Sequence, residues 1–222
     1  MISLSIFAAI GWTEQELIYG WYNNAVSGQR GSLELLKRDY VVDRIPEDMH
    51  QKLIDEAWEL GKKCGKIFLE DYPANDGVCF ADVIQSVGLK LKRADVDYVS
   101  GHMRYFADIQ PKAGIVYIYL KSVELWAKEH NCSYEFAENV ILMHEFFHYC
   151  EYRQGESASR THLVPMITIG RIHIGKTGVA SLSEIAANSF VRYLWDADYL
   201  GIRTKWQRTS SDVQITEERI KH

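Results

Sequence analysis

The chain has 222 residues, 47% of them hydrophobic and 25% charged, an ordinary globular balance that excludes disorder, a collagen-like repeat or a disulfide scaffold as its overall description. Twenty-five basic against 30 acidic residues leave a formal charge of −5. The basic excess that a phosphate-binding surface needs is therefore missing, and direct nucleic-acid binding is not expected.

The first ten residues, MISLSIFAAI, are apolar but lack a basic n-region and a small-residue cleavage site, so they read as a buried strand or helix of the fold. No segment reaches the roughly 18 continuous apolar residues of a membrane span. Cys64, Cys79, Cys132 and Cys150 show no paired short spacing, which fits free thiols in a reducing compartment. The expectation is a soluble, cytoplasmic protein that does not engage the membrane.

Thr13 and Glu16 have capping-box spacing and predict a short helix, and the stretch from Asn23 to Gly31 reads as polar and turn-rich. Pro46 opens a long amphipathic helix with Glu47 and Asp48 in its first turn. Met49, Leu53, Ala57, Leu60, Cys64 and Phe68 form its apolar face, and Tyr72-Pro73 ends it. Asn75-Asp76-Gly77 is a turn and the expected boundary of an N-terminal helical lobe, residues 1–76, with a core over 77–200 and a loosely patterned tail over 201–222.

Beyond the turn, a helix is predicted from Val78 to Val87, stopped by Gly88, then an exposed strand from Leu89 to Arg93. His102 to Ile109 and Ile115 to Leu120 read as strands around a Gln110–Gly114 hairpin loop. Two helices follow, one capped by Ser122 and one by Ser133. A second β-like pair, His162 to Ile169 and Arg171 to Lys176, has Pro165 inside it, which restricts that strand to an edge or a loop. A last long helix begins near Ser181.

The helix after Ser133 carries His144-Glu145-Phe146-Phe147-His148. Positions four apart lie one turn above each other, so both imidazoles can reach one ion, and Glu145 can reach a water beside it. Val140-Ile141-Leu142-Met143 before the motif and Phe146-Phe147 inside it make the helix apolar nearly all round, and therefore buried on most sides. Two histidines and a carboxylate in such a place need partners, because unpaired burial costs several kcal/mol, about 2–7 for a neutral polar group alone. A metal supplies them; the alternative is that the histidines merely hydrogen-bond within the core.

Two imidazoles leave a catalytic zinc one protein ligand short. Glu184, 36 residues past His148, is the candidate third, just off the packed face marked by Leu182, Ile185, Ala186, Phe190 and Leu194. Ser181 and Glu184 also have capping-box spacing, in which Glu184 would serve its own helix instead. His162 and His173 are the other ligand candidates. Asn188, one turn beyond Glu184, is placed to orient a ligand histidine. An oxyanion partner is expected from among His162, His173, Tyr152 and Tyr193.

Gly170-Arg171-Ile172-His173-Ile174-Gly175-Lys176-Thr177 satisfies the Walker A pattern. Its Arg-Ile-His-Ile interior reads as a strand, whereas a phosphate cradle needs small residues whose N–H groups converge. Nucleotide binding is rejected on that ground. The aromatic content, including six Trp and 13 Tyr, reads as core and cleft lining, since it lacks the basic clusters of a base-stacking surface.

HEFFHYC at His144–Cys150, followed by Ser-Glu-Ile-Ala-Ala-Asn-Ser-Phe at Ser183–Phe190, resembles the ImmA/IrrE metallopeptidases, in which HExxH precedes a Glu-x-x-Ala-Asn/Asp-x-Phe-Ala motif. Glu184, Ala187, Asn188 and Phe190 match the second motif, with Val191 in place of its final Ala, and Ser86-Val87-Gly88-Leu89-Lys90-Leu91 resembles the approach to the metal helix. The resemblance covers about Gly77 to Trp195. It implies an α+β, zincin-like peptidase core with a small antiparallel sheet packed on helices. It also implies Zn²⁺ on His144, His148 and Glu184, Glu145 as general base, and the Ile115–Leu120 strand beside the cleft as a dock for an extended peptide. The expected partner is a protein or peptide substrate, with a transcriptional repressor as the kind of substrate the family suggests. The N-terminal residues themselves do not read as a helix-turn-helix. The alternative function is a metal-stabilised regulatory or binding module that acts through protein contacts without proteolysis.

Overall fold

A computed structural model describes residues 28–73, 79–101, 103–129, 132–170 and 172–197. The helix expected after Thr13, the boundary turn at 75–77 and the tail after 201 lie outside the described residues.

The described chain is α+β. Its six α-helices are α1 (Gly28–Lys37), α2 (Glu47–Asp71), α3 (Phe80–Ser86), α4 (Leu120–Glu129), α5 (Tyr134–Gln154) and α6 (Ala180–Asp196). The strands are β1 (Lys90–Ala94), β2 (Tyr98–Ser100), β3 (Met103–Tyr105), β4 (Ala107–Gln110), β5 (Ile115–Tyr119), β6 (Leu163–Ile169) and β7 (Ile172–Gly178). Helix α1 begins where a turn-rich stretch was expected. Its two glycines suggest a loop, but Leu35 and Leu36 are buried and Ser32 accepts a 2.8 Å hydrogen bond from Trp58 Nε1 of α2. Tertiary packing overrides the local signal there.

Helix α2 follows Pro46 as expected, and its buried face includes Leu53, Ala57, Cys64 and Phe68. Its main partner is α6. The two approach closely because Gly61 and Gly65 present no side chain. A Cβ on Gly61 would lie 2.7 Å from Ser189 Cβ and 2.9 Å from Phe190 N, and closer still to the Ala186 carbonyl. Phe68 meets Phe146 of α5 edge-on at 5.4 Å and Phe190 of α6 at 5.7 Å, while Phe80 of α3 meets Phe146 at 5.5 Å. Four helices thus share one aromatic cluster, and α1 and α2 belong to the same hydrophobic core as α5 and α6.

The principal sheet, expected to be antiparallel, is mixed, with strand order β1-β5-β4. Strand β1 runs parallel to β5, Lys90 facing Ile115 through Ala94 facing Tyr119, and β4 runs antiparallel, Ala107 facing Ile118. Alternation along a sequence marks a strand without giving its direction. The run expected as one strand over His102–Ile109 is divided: β3 pairs with β2 in a separate hairpin, and only β4 joins β5. The turn between β4 and β5 is the expected one, Pro111–Ala113 as a 3-10 turn closed by Gly114 at φ 66. Because β5 is paired on both sides, it has no free edge to take the strand addition expected there; β4 is an edge of this sheet.

Ser122 is not a cap. It lies inside α4, buried, donating to Asp97 Oδ1 at 3.0 Å and accepting from the Tyr98 N–H at 2.9 Å, so it fastens the β2–β3 hairpin to the helix. Ser133 does cap α5, its hydroxyl accepting from the Phe136 N–H at 3.2 Å. β6 and β7 form the expected pair, which runs antiparallel, with Pro165 opposite Lys176 in a two-stranded ribbon where every strand is an edge. Most of the Walker-like sequence, from Ile172 onward, therefore lies in strand β7 paired with β6, where a phosphate cradle would need a loop. No helix among the described residues is long and apolar enough to cross a membrane.

Candidate metal centre

Helix α5 runs through the middle of the packing, touching α2, α3, α4, α6 and β4. This is why residues 140–147 are apolar on every face except for His144 and Glu145, and all eight are buried. On that helix His144, His148 and Glu151 follow at i, i+4 and i+7 and share one face. Opposite it stands the first turn and a half of α6.

The structure brings His144, His148 and Glu184 together. His144 Nε2 lies 3.1 Å from Glu184 Oε2, His148 Nε2 lies 3.5 Å from Glu184 Oε1, and one ligand atom from each residue falls within 4.8 Å of the others. The three could hold a metal ion. Glu184 does not complete a capping box: α6 starts at Ala180 after Val179, Ser181 lies within the first turn, and its hydroxyl has no hydrogen-bond partner. The cap comes from elsewhere, since Asp39 Oδ2 accepts the Ser181 N–H at 2.8 Å.

Glu145 is buried on the β4 side, beside Asp108 and Ile109. Burial lifts its pKa to about 7, opposed by the neighbouring His148 charge. Burial lowers His144 below the ordinary imidazole value despite the upward pull of Glu184. Burial acts in the same sense on His148, but the hydrogen bond to Glu151 and the charges of Glu184 and Glu145 overcome it and raise that ring to about 9. For Glu184 the His144 hydrogen bond and the two imidazole charges outweigh burial and hold the carboxyl below its usual value. The His148 side chain is 17% exposed against 2% for His144, so the cluster meets solvent on the His148 side.

Asn188 stands one turn beyond Glu184 and favours the charged form of His144, yet its Oδ1 and His144 Nδ1 are both sealed from solvent and neither completes a hydrogen bond. Of the four expected oxyanion partners, one is placed away from the cluster. Tyr193 packs against Gly65 at the α2–α6 crossing, nine residues from Glu184 and thus on the opposite face of the helix. Tyr152 is 47% exposed at the end of α5, His162 lies just before β6, and the His173 side chain falls outside the described atoms. Sequence reasoning missed Glu151. Its signal was a carboxylate three residues past His148, on the ligand face of an otherwise apolar helix.

No protein-family model, no curated protein and no solved structure matches the chain.

Proposed function

We propose that the protein is a zinc-dependent peptidase of the zincin type, akin to the ImmA/IrrE group, acting in the cytoplasm on a protein or peptide substrate such as a repressor. The observation that carries this reading is the convergence of two imidazoles and a carboxylate from helices distant in sequence, with Glu145 beside them. In a tetrahedral zinc site with bonds of about 2.0–2.1 Å, neighbouring donors stand about 3.3 Å apart. The 3.1 and 3.5 Å separations lie on either side of that value. The His144 ring turns its Nε2 toward Glu184 in the cluster, the disposition of a ligand.

A bound zinc ion supplies Lewis-acid polarisation of a carbonyl and of a water molecule. His144, His148 and Glu184 would hold the ion, and Glu145, buried beside them, would be the base that accepts a proton from the attacking water and passes it to the departing amine. Edge strand β4, which carries Ile109, is where an extended peptide would add as a further strand next to Glu145. Four free cysteines support a reducing compartment.

The test pairs metal content with cleavage of an unstructured protein substrate in the wild type and Glu145→Gln. Both should hold about one zinc per chain, and cleavage should fall about 10²–10⁴-fold in the variant. No bound zinc at any loading sinks the reading. A biological effect that survives Glu145→Gln intact favours the metal-stabilised binding module instead.

A further inference from the structure

Glu151 is buried at the end of α5, and three groups from three segments donate to its carboxylate. His148 Nδ1 lies 3.2 Å from Oε2, the Ala158 N–H reaches Oε1 at 2.7 Å, and the Ser183 hydroxyl donates to Oε2. Ala158 opens the 3-10 turn Ala158–Arg160 that leads into the β6–β7 hairpin, and Ser183 immediately precedes Glu184 on α6. One side chain thus joins both ends of the long segment that separates the two halves of the candidate centre.

We infer that Glu151 is a positioning residue of the metal centre, acting on both ligand helices at once. By accepting from Nδ1 it fixes the His148 ring with Nε2 toward Glu184 and strengthens that nitrogen as a donor. By accepting from Ser183 it fixes the turn of α6 from which Glu184 projects. A carboxylate accepting three hydrogen bonds in a buried site has one orientation, and the orientation of both ligands follows from it. This inference rests on the reading of His144, His148 and Glu184 as a zinc site.

Zinc affinity is measured by competition with a chromogenic chelator for the wild type, Glu151→Gln and Ser183→Ala, well below their melting temperatures. The visible absorption of the cobalt-loaded proteins is recorded alongside. Glu151→Gln should bind zinc about 10–100-fold more weakly, Ser183→Ala several-fold more weakly, and both should show altered cobalt bands. A residue that served only the fold would lower the melting temperature and leave affinity and cobalt spectrum unchanged, which would overturn the inference. Should Glu151→Gln not fold, Ser183→Ala, which removes one of the three donors, decides alone. Wild-type protein that binds neither metal overturns the zinc reading together with this one. Wild-type protein that binds, with variants indistinguishable from it, overturns only the role of Glu151.

Discussion

Glu184 Oε2 stands 3.1 Å from His144 Nε2 although 40 positions separate the two residues. The contact is produced by packing: α2 lies flat on α6 at Gly61, and Phe68, Phe146 and Phe190 lock α2, α5 and α6 into one cluster. The geometry of the three side chains is therefore a property of the core, and changes in the core should register at the candidate centre.

Metal should stabilise the fold by mass action. With free zinc at about 100 times its dissociation constant, the folded state gains about 2.7 kcal/mol, seen as a rise in Tm that a chelator reverses. His144→Ala should remove the dependence, because the buried pair with Glu184 is then gone. Identical melts of wild-type protein with zinc and with chelator would contradict the assignment.

Gly61→Ala tests the link between core and centre. The new methyl would meet the backbone of α6 at Ala186 and Phe190 and the Cβ of Ser189, none of which can swing aside as a flexible side chain would. The helices must part, at about 1–3 kcal/mol, and Glu184 retreats with α6, so zinc affinity falls as well. Gly88→Ala is the control. It has open space around it but φ +84, so it should cost about 1 kcal/mol in backbone strain and leave zinc affinity alone. Denaturant unfolding and chelator competition read the two quantities separately.

What was legible in the sequence was periodic or local. The α2 face, the Ser133 cap, the β4–β5 turn and the His144/His148 spacing each depend on residues within about one turn or one hairpin. The mixed sheet was not legible, because β1 pairs with β5 across an intervening hairpin and no residue of either strand encodes direction. Nor was the Ser122 contact, which depends on Asp97 and Tyr98 arriving from another element. At the centre, Glu184 was nameable as a candidate past HExxH, but its freedom from a capping box turned on Asp39, 142 residues from Ser181, accepting the N–H there.

That remote cap gives a further prediction. Asp39 accepts the Ser181 N–H at 2.8 Å and the Val41 N–H at 3.1 Å, tying the segment after α1 to the start of α6. Asp39→Ala should cost about 1–2 kcal/mol, from the lost cap and the lost charge at a helix N-terminus. It should also weaken zinc, since the freed turn carries Ser183 and Glu184. Ser133→Ala, which removes a local cap at the far end of α5, should cost about 1 kcal/mol with no effect on zinc. Equal zinc affinity in both variants would show that the first turn of α6 holds its place without Asp39.

The β2–β3 hairpin supplies a pH prediction away from the metal. Asp97 accepts from Arg104 Nε at 2.7 Å and Nη2 at 3.2 Å and from Ser122 at 3.0 Å, and the Arg104 bond holds its carboxyl below the usual carboxylate value. A depressed folded-state pKa means stability that is present above the unfolded value of about 3.9 and lost as pH falls through the folded one. Asp97→Asn should therefore be less stable than wild type by a constant margin at neutral and mildly acidic pH. The margin should shrink once the pH drops below about 4. Urea unfolding of both proteins across that range measures it. A margin unchanged down to acid unfolding would mean that Asp97 acts by shape and hydrogen bonding alone, with its charge contributing nothing.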